Sequence, residues 1–303
     1  MRTLQTSNTF TGSFTALITP FRAGEIDEIA LRRLVEFQIE QGISGLVACG
    51  TTGESVTMTE AEHDRVIEIV VDQAAGRVPV IAGTGTNNTA ETVERTRYAQ
   101  EIGAAAALIV VPYYNKPTQE GMIRHYSAIA EATTLPIVLY NVPGRTGVNL
   151  LPETVVQLAS IPNVVAVKEA SGNLDQVSQI LTAVPSDFTV LSGDDSLTLP
   201  IMSVGGQGVI SVLSNIAPAS VVELVGACLR GDFLAAREIH LRIFDLCRAM
   251  FIENNPTAVK SAAAMLGLCS DEVRLPLVAM GEANRRRLAE SLGRAELIAP
   301  VAA

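Results

Sequence analysis

The chain has 303 residues, of which 48% are apolar and 18% charged, and its formal net charge at pH 7 is −10. This composition is that of a globular protein and excludes a disordered chain, while the negative charge argues against nucleic acid or an anionic membrane surface as a partner. The four cysteines form no C-x-x-C pair, and no apolar run reaches membrane-spanning length. We therefore expect reduced thiols in a cytoplasmic protein, with no membrane partner.

Eight short apolar runs follow one another along about the first 210 residues, and each is typical of a strand covered on both faces. In chain order they are SFTALITP, GLVACG, VPVIAG, AALIVVP, LPIVLYN, NVVAVKE, FTVLSG and GQGVIS. Helical patterns lie between them: the first begins after Asp27 as N-cap and ends at Gly42, and a later one runs from Asn88 to Gly103. This alternation predicts an α/β fold, the (β/α)8 TIM barrel. The alternative is an open doubly wound sheet, but no G-x-G-x-x-G follows the first strand.

After about residue 215 the pattern becomes helical only, and its last three segments predict a C-terminal helical domain. In the segment ENNPTAVK the proline, Pro256, stands where a helix would begin. We expect residues 1–228 to form the catalytic barrel and residues 229–303 the helical domain. The three histidines show no spacing typical of a metal site, so no metal is expected.

The carboxyl ends of the strands carry the active site in this fold, so the residues after each apolar run are the candidates. After the second run, CGTTGES combines backbone N–H groups with the hydroxyls of Thr51 and Thr52, which suits a carboxylate or phosphate. An ordinary turn with a threonine N-cap is the equal alternative. Tyr113 and Tyr114 follow the fourth run, and Tyr140 ends the fifth. One such tyrosine would be a packing residue, whereas three at one rim indicate a site.

Lys168 ends the sixth run, in VVAVKEASG, and it is one of only three lysines among 22 lysines and arginines. Desolvation favours the neutral amine, which is a nucleophile toward a ketone or aldehyde and gives a Schiff base. The alternative is a buried lysine paired with a carboxylate such as Glu169 or Asp194. Glu169 is a poor partner, because adjacent residues of a strand point to opposite faces.

Two further residue types complete this hypothesis. Tyr140, coupled to the hydroxyl of Thr52 and to one tyrosine of the YY pair, could move the protons that Schiff-base chemistry requires. Arg145, in YNVPGRTG, offers a bidentate fork for a carboxylate. Its alternative is an arginine on a surface loop.

The chain resembles the pyruvate-dependent class I aldolases typified by N-acetylneuraminate lyase and dihydrodipicolinate synthase. GTTGES, VPYYNKP, YNVPGRTG, VAVKEASG, SGDD and GGQGVIS match in order, and ENNPTAVK matches in the helical tail. The arginine of YNVPGRTG and the motif GTTGE are typical of the dihydrodipicolinate synthase subgroup. Sialic-acid lyases usually carry a serine in the first motif and no arginine in the second.

The resemblance implies catalytic roles for four residues. Lys168 would form the Schiff base with pyruvate, and Tyr140 would donate and accept protons beside it. Thr52 and Tyr114 would complete a proton relay, with Tyr114 reaching in from a neighbouring subunit of a homotetramer built from two tight dimers.

The resemblance also implies the substrate-binding residues. Thr51 and Thr52 match the positions that bind the pyruvate carboxylate, and Arg145 matches the position that binds the carboxylate of aspartate semialdehyde. Gly193 and Ile210 match positions that line the pocket, Ile210 through its carbonyl.

The reaction that follows is the condensation of pyruvate with L-aspartate 4-semialdehyde to 4-hydroxy-tetrahydrodipicolinate by a class I aldolase-type lyase. It is the first committed step of lysine biosynthesis through diaminopimelate, and it needs no metal or organic cofactor. The alternative is another pyruvate-releasing aldolase, acting on N-acetylneuraminate or a 2-keto-3-deoxy sugar acid. A binding protein on a non-catalytic barrel is a further alternative, against which the intact set of Lys168, Tyr140 and Thr52 argues.

Feedback inhibition by L-lysine is also implied, at a site on the tight dimer interface. The residues that match this site are Ser55, His63, Asn87, Glu91 and Tyr113. Val56 stands at a small-residue position, and Glu60 replaces a histidine seen in some sensitive enzymes. The alternative for His63 is an exposed residue on a helix.

Overall fold

Eight parallel strands close into a barrel in the computed structural model, which describes residues 10–299. The strands are β1 Gly12–Ala16, β2 Gly45–Ala48, β3 Val80–Gly83, β4 Ala106–Val110, β5 Ile137–Asn141, β6 Val164–Glu169, β7 Thr189–Ser192 and β8 Gly208–Ser211. Each strand pairs with its neighbour in sequence, and β1 pairs with both β2 and β8 to close the ring. Seven of them lie within one of the eight apolar runs, and β1 begins one residue before its run, so the predicted TIM barrel is confirmed.

The strands alternate with helices that cover the outside of the barrel. These are α1 Glu28–Glu40, α2 Glu60–Ala74, α3 Thr89–Glu101, α4 Gln119–Ala132, α5 Pro152–Leu158, α6 Leu174–Ala183, α7 Thr198–Ser203 and α8 Pro218–Leu229. Their first turns are capped as the sequence predicts: Asp27 accepts a hydrogen bond from the Ala30 amide, and Asn88 accepts from the first turn of α3.

Side chains that point into the barrel form a separate apolar cluster. Val138 on β5 and Ala166 on β6 are paired in register and both belong to this cluster. Two residues further along each strand, on the same inward face, come Tyr140 and Lys168, which are also paired in register. The alternation of the strands therefore aims both side chains inward at the carboxyl end of the barrel.

Three helices follow the barrel, namely α9 Phe233–Ala249, α10 Thr257–Met265 and α11 Glu282–Arg294. The predicted division between residues 228 and 229 falls at the last residue of α8, and α10 begins directly after Pro256. The segment after α9 returns to the catalytic end of the barrel, where Lys260 forms an ion pair with Glu54 in the turn after β2. Residues of the C-terminal helices therefore contact the turn after β2.

Some elements have no clear signal in the sequence. Phe21–Arg22 and Glu25–Ile26 form a small antiparallel ribbon after β1, and a short helix, Pro143–Thr146, follows β5.

The four cysteines are free thiols. Among residues 10–299, no helix has both the length and the apolar character needed to cross a membrane.

Candidate active site

Lys168 lies near the end of β6 with only 6% of its surface exposed. Its Nζ stands 4.2 Å from the centre of the Tyr140 ring on the neighbouring strand. Within residues 10–299 no carboxylate forms an ion pair with this nitrogen. A buried amine with no carboxylate partner in this part of the chain is free to form a covalent bond with a carbonyl carbon.

The two carboxylates considered as partners of Lys168 are engaged elsewhere. Glu169 points away from the barrel interior and accepts hydrogen bonds from Asn141 Nδ2 at 3.0 Å and Gln176 Nε2 at 3.1 Å. Asp194 accepts from the amide and hydroxyl of Ser196 at 3.0 and 2.9 Å. The opposite orientation of Glu169 is confirmed, and the alternative of a paired structural lysine is wrong.

The other two lysines have different surroundings. Lys260 is fully buried, but its Nζ lies 2.5 Å from Glu54 Oε1 and donates to the Glu272 carbonyl at 2.7 Å. Lys116 is exposed on the loop after β4. Of the three, Lys168 alone is a buried amine without a carboxylate partner in the described part of the chain.

The turn after β2 presents unpaired donors. The backbone N–H groups of Thr51 and Thr52 donate to no acceptor within residues 10–299. The hydroxyl of Thr52, a buried residue, accepts a hydrogen bond of 2.9 Å from Asn255 Nδ2. Neither threonine caps a helix, since Glu54 and Thr59 hold the N-cap positions that follow. The alternative in which Thr51 or Thr52 is the N-cap of a helix is therefore wrong. Adjacent unpaired backbone N–H groups are a typical binding site for an anion.

A cavity of about 280 Å³ opens at this end of the barrel. Its walls are formed by Cys49, Gly50, Thr51, Ser55, Val56, Gly83, Gly85, Leu108, Val110, Tyr113, Tyr140, Val142, Arg145 and Thr146. Three of the predicted catalytic and substrate-binding residues, Thr51, Tyr140 and Arg145, are thus brought together around one space. Apolar and aromatic walls with a few polar groups are typical of a small-molecule site.

Besides Tyr114, four of the predicted catalytic and substrate-binding residues do not line this cavity, and three of them are buried while Gly193 is half-buried. They are Lys168, Thr52, Gly193 and Ile210. A Cβ atom on Gly193 would stand 3.2 Å from Lys168 Cε and 2.7 Å from Ala170 Cβ, so the absence of a side chain leaves room for the lysine. Ile210 belongs to the same inward-facing apolar cluster as Tyr140.

The two adjacent tyrosines have opposite surroundings. Tyr113 lines the cavity, and its partial burial raises the pKa of its hydroxyl. Tyr114 is 88% exposed, with φ at +73°, and does not line the cavity of its own chain. Arg145 is exposed and has no ion-pair partner among residues 10–299, so its guanidinium is free to bind a carboxylate.

The residues predicted for lysine binding lie around the same end of the barrel. Ser55 and Tyr113 line the cavity, and the Asn87 amide donates to the Tyr113 carbonyl at 3.2 Å. Glu91 forms an ion pair of 2.6 Å with Arg95 one helical turn away.

His63 differs from the alternative considered for it. It is 1% exposed, and its Nε2 donates to the Gly83 carbonyl at 2.8 Å. Burial is the largest cause of the lowered pKa of its imidazole. The reading of His63 as an exposed helix residue is wrong, because α2 packs this face against β3.

Several residues of the site were not predicted from the sequence, and three of them show why. A Cβ on Gly83 would lie 2.2 Å from the Cys49 carbonyl oxygen, and one on Gly85 would lie 2.4 Å from the Val110 nitrogen. The motif GTG directly after the third apolar run is the sequence signal for this close approach. Asn255 is the third, and its motif ENNPTAVK gave no indication of which side chain it contacts.

The sequence of the chain matches a known protein family. The sequence pattern described as the Dihydrodipicolinate synthetase family matches residues 9–295. The chain belongs to this family. It is 58% identical over 281 residues to 4-hydroxy-tetrahydrodipicolinate synthase of Thermomicrobium roseum, covering 93% of each chain.

Solved structures of the family agree with the fold. Dihydrodipicolinate synthase from Aquifex aeolicus superposes with a TM-score of 0.94 at 51% identity, covering 95% of this chain and 99% of that one. The enzyme from Cyanidioschyzon merolae with lysine bound superposes with a TM-score of 0.94 at 40% identity, covering 96% and 99% of the two chains. The predicted family is therefore confirmed.

Proposed function

We propose that this protein condenses pyruvate with L-aspartate 4-semialdehyde to 4-hydroxy-tetrahydrodipicolinate, in the biosynthesis of lysine through diaminopimelate. The observation that carries the proposal is Lys168, which is buried against the Tyr140 ring and has no carboxylate partner within residues 10–299. The name of the relative that is 58% identical, 4-hydroxy-tetrahydrodipicolinate synthase, supports the choice of aldehyde.

The chemistry begins with attack of the neutral Lys168 amine on the keto carbon of pyruvate. Loss of water gives a protonated imine, which withdraws electrons and acidifies the methyl group. Loss of a methyl proton gives an enamine, and its carbon attacks the aldehyde carbon of the second substrate. The new alkoxide takes up a proton, and the amine of that substrate then displaces Lys168, which closes the ring and frees the enzyme.

Each of these steps needs a proton moved, and Tyr140 is the group beside the reacting nitrogen. Its ring lies 4.2 Å from Lys168 Nζ, and it shares the cavity wall with Thr51. The resemblance implies a relay of Tyr140, Thr52 and Tyr114. We propose that Thr51, which shares the cavity wall with Tyr140, takes the place of Thr52 in this relay. The hydroxyl of Thr52 would then bind the pyruvate carboxylate. The free N–H groups of Thr51 and Thr52 would bind the same carboxylate. Thr51→Val should lower kcat, whereas Thr52→Val should raise the KM for pyruvate.

Arg145 would bind the carboxylate of aspartate semialdehyde, because its guanidinium lines the cavity and is unpaired within the described residues. Gly193 and Ile210 would complete the surroundings of Lys168. Residues on both sides of the cavity would in this way fix the enamine and the aldehyde relative to each other.

We propose a homotetramer made of two tight dimers, in which Tyr114 of one subunit reaches the site of its neighbour. The 88% exposure of its side chain and its absence from the cavity of its own chain support this proposal. Mixing Lys168→Arg and Tyr114→Phe subunits tests this assignment. If Tyr114 acts across the interface, the mixture regains activity that neither variant has alone, and no regain contradicts the assignment.

Feedback inhibition by L-lysine and a cytoplasmic location complete the proposal. The relative from Cyanidioschyzon merolae was solved with lysine bound, which supports lysine as a ligand. The effector site that we propose for it comprises Ser55, His63, Asn87, Glu91 and Tyr113. Titration of the activity with L-lysine tests it, and Glu91→Ala should weaken the inhibition.

Borohydride reduction in the presence of pyruvate, followed by peptide mass spectrometry, tests the central step. We expect a reduced pyruvyl adduct on Lys168 and none in Lys168→Arg. An adduct on Lys116 or Lys260, or no adduct, would overturn the chemistry. Coupled assays with aspartate semialdehyde, N-acetylneuraminate and a 2-keto-3-deoxy sugar acid then test the substrate.

A further inference from the structure

Asn255 connects the C-terminal segment to the turn after β2. It lies between α9 and α10 and is 7% exposed. Its Nδ2 donates a hydrogen bond of 2.9 Å to Thr52 Oγ1, across 203 positions of sequence. Its Oδ1 is buried and has no hydrogen-bond partner among the described residues.

The direction of this hydrogen bond determines what the Thr52 hydroxyl can do. A hydroxyl carries one proton and can accept up to two hydrogen bonds. Because Asn255 already supplies a proton to Thr52 Oγ1, the hydroxyl must direct its own proton elsewhere. Within residues 10–299 it donates to no acceptor. The Thr52 proton is therefore available to a ligand.

The adjacent backbone indicates which kind of ligand this is. The N–H groups of Thr51 and Thr52 are also unpaired within the described chain, so three donors are available in the same turn. A carboxylate is an acceptor only and takes several such donors at once. An asparagine turned the other way would accept the Thr52 proton and remove one of the three.

We propose that Asn255 is a positioning residue for substrate binding: its amide N–H fixes the Thr52 hydroxyl as a donor to the carboxylate of pyruvate. This inference rests on the proposed function, because it takes pyruvate as the ligand of the turn. The unpaired Oδ1 is the consequence of this orientation, and it is a site for a water molecule or another donor. The C-terminal segment thereby contributes to pyruvate affinity without touching the substrate.

Two variants of similar size separate a donor from a packing residue. Asn255→Asp keeps the shape of the side chain, but an ionised carboxylate can only accept hydrogen bonds. It would therefore accept a hydrogen bond from the Thr52 hydroxyl and add a negative charge near the substrate carboxylate. Asn255→Leu keeps much of the volume and neither donates nor accepts. Asn254→Ala is the matched control, since Asn254 is the exposed neighbour.

The measurement is the pyruvate concentration at which borohydride trapping on Lys168 is half-maximal, together with kcat and the melting temperature. We expect an increase of about threefold for Asn255→Leu and about thirtyfold or more for Asn255→Asp, which is the range for one hydrogen bond to a charged group. The control should stay within about twofold, which is the scatter of a surface substitution.

Three outcomes are informative. If Asn255→Asp reached half-maximal trapping at the same pyruvate concentration as wild type, the inference would be overturned. A side chain that accepts the hydrogen bond of Thr52 would then support pyruvate binding as well as the amide does. A loss that is larger in Asn255→Leu and parallels the melting temperature would also overturn it in favour of packing. If wild-type protein forms no adduct on Lys168, the proposed function fails first and the inference fails with it.

Discussion

Replacement of Lys260 by methionine would leave a buried carboxylate without its cation. Lys260 and Glu54 both have side chains that are 0% exposed, and Lys260 Nζ lies 2.5 Å from Glu54 Oε1. The same nitrogen donates to the Glu272 carbonyl at 2.7 Å and lies 4.2 Å from the centre of the Phe21 ring. In Lys260→Met, Glu54 would keep the hydrogen bond from the Arg274 amide at 3.1 Å.

The expected loss of stability follows from this geometry. Removing one partner of a buried ion pair costs about 3–5 kcal/mol, because the remaining charge has lost both water and its counter-ion. The methionine fills much of the space, so the cavity adds little. For a chain of this size such a loss lowers the melting temperature by about 5–8 °C. Lys260→Met combined with Glu54→Gln should recover part of the loss, since no unpaired charge remains.

Urea unfolding followed by far-ultraviolet circular dichroism measures the effect, because the chain has no tryptophan to report by fluorescence. The protein concentration must be the same for all variants, since assembly contributes to apparent stability. Lys116→Met is the matched control on an exposed lysine, and it should change the free energy of unfolding by less than about 0.5 kcal/mol. A loss below about 1 kcal/mol in Lys260→Met would refute the reasoning, because Glu54 would then be solvated in the folded protein.

Three further predictions concern the site and the pH dependence. Gly193→Ala should lower pyruvate trapping on Lys168 at least about tenfold. The reason is that the added methyl group would lie 2.7 Å from Ala170 Cβ and 3.2 Å from Lys168 Cε. Unchanged trapping in this variant would contradict the prediction. Arg145→Ala should raise the KM for aspartate semialdehyde about tenfold or more and leave pyruvate trapping unchanged, whereas a selective rise in the KM for pyruvate would reverse the assignment. Burial lowers the pKa of His125 from 6.5 to about 4, so between these values the unfolded chain binds a proton that the folded chain does not, and stability falls as the pH decreases. Between pH 7 and pH 4.5, the free energy of unfolding in urea should therefore fall by about 2 kcal/mol less in His125→Phe than in wild type. Equal decreases would contradict the prediction.

The barrel could be predicted from local sequence because both faces of its strands are buried. Each run such as AALIVV or PIVLYN is apolar without alternation, and the caps at Asp27 and Asn88 mark where helices begin. The ribbon after β1 was missed because its strands have two residues each, which is too short for any periodicity.

The candidate site was predicted in part, for reasons that differ between residues. Lys168 and Tyr140 stand out because a charged or phenolic side chain ends an otherwise apolar strand. Which threonine faces the cavity depends on the backbone of the turn, where Cys49 has φ at +55°, and adjacent hydroxyls do not reveal this. Asn255 contacts Thr52 only because the chain returns after α9, a contact that no local pattern contains.

The sequence by itself determined the barrel, the strand ends that carry the chemistry and the family, since these depend on the order of apolar runs and on motifs a few residues long. Only the tertiary structure decided how the three lysines differ. Lys260 pairs with Glu54, 206 positions away, and Lys116 is exposed. Lys168 is buried beside an aromatic ring, with no carboxylate partner in the described part of the chain. Reactivity depends on desolvation and on the nearest charges, and both are set by residues that are distant in sequence.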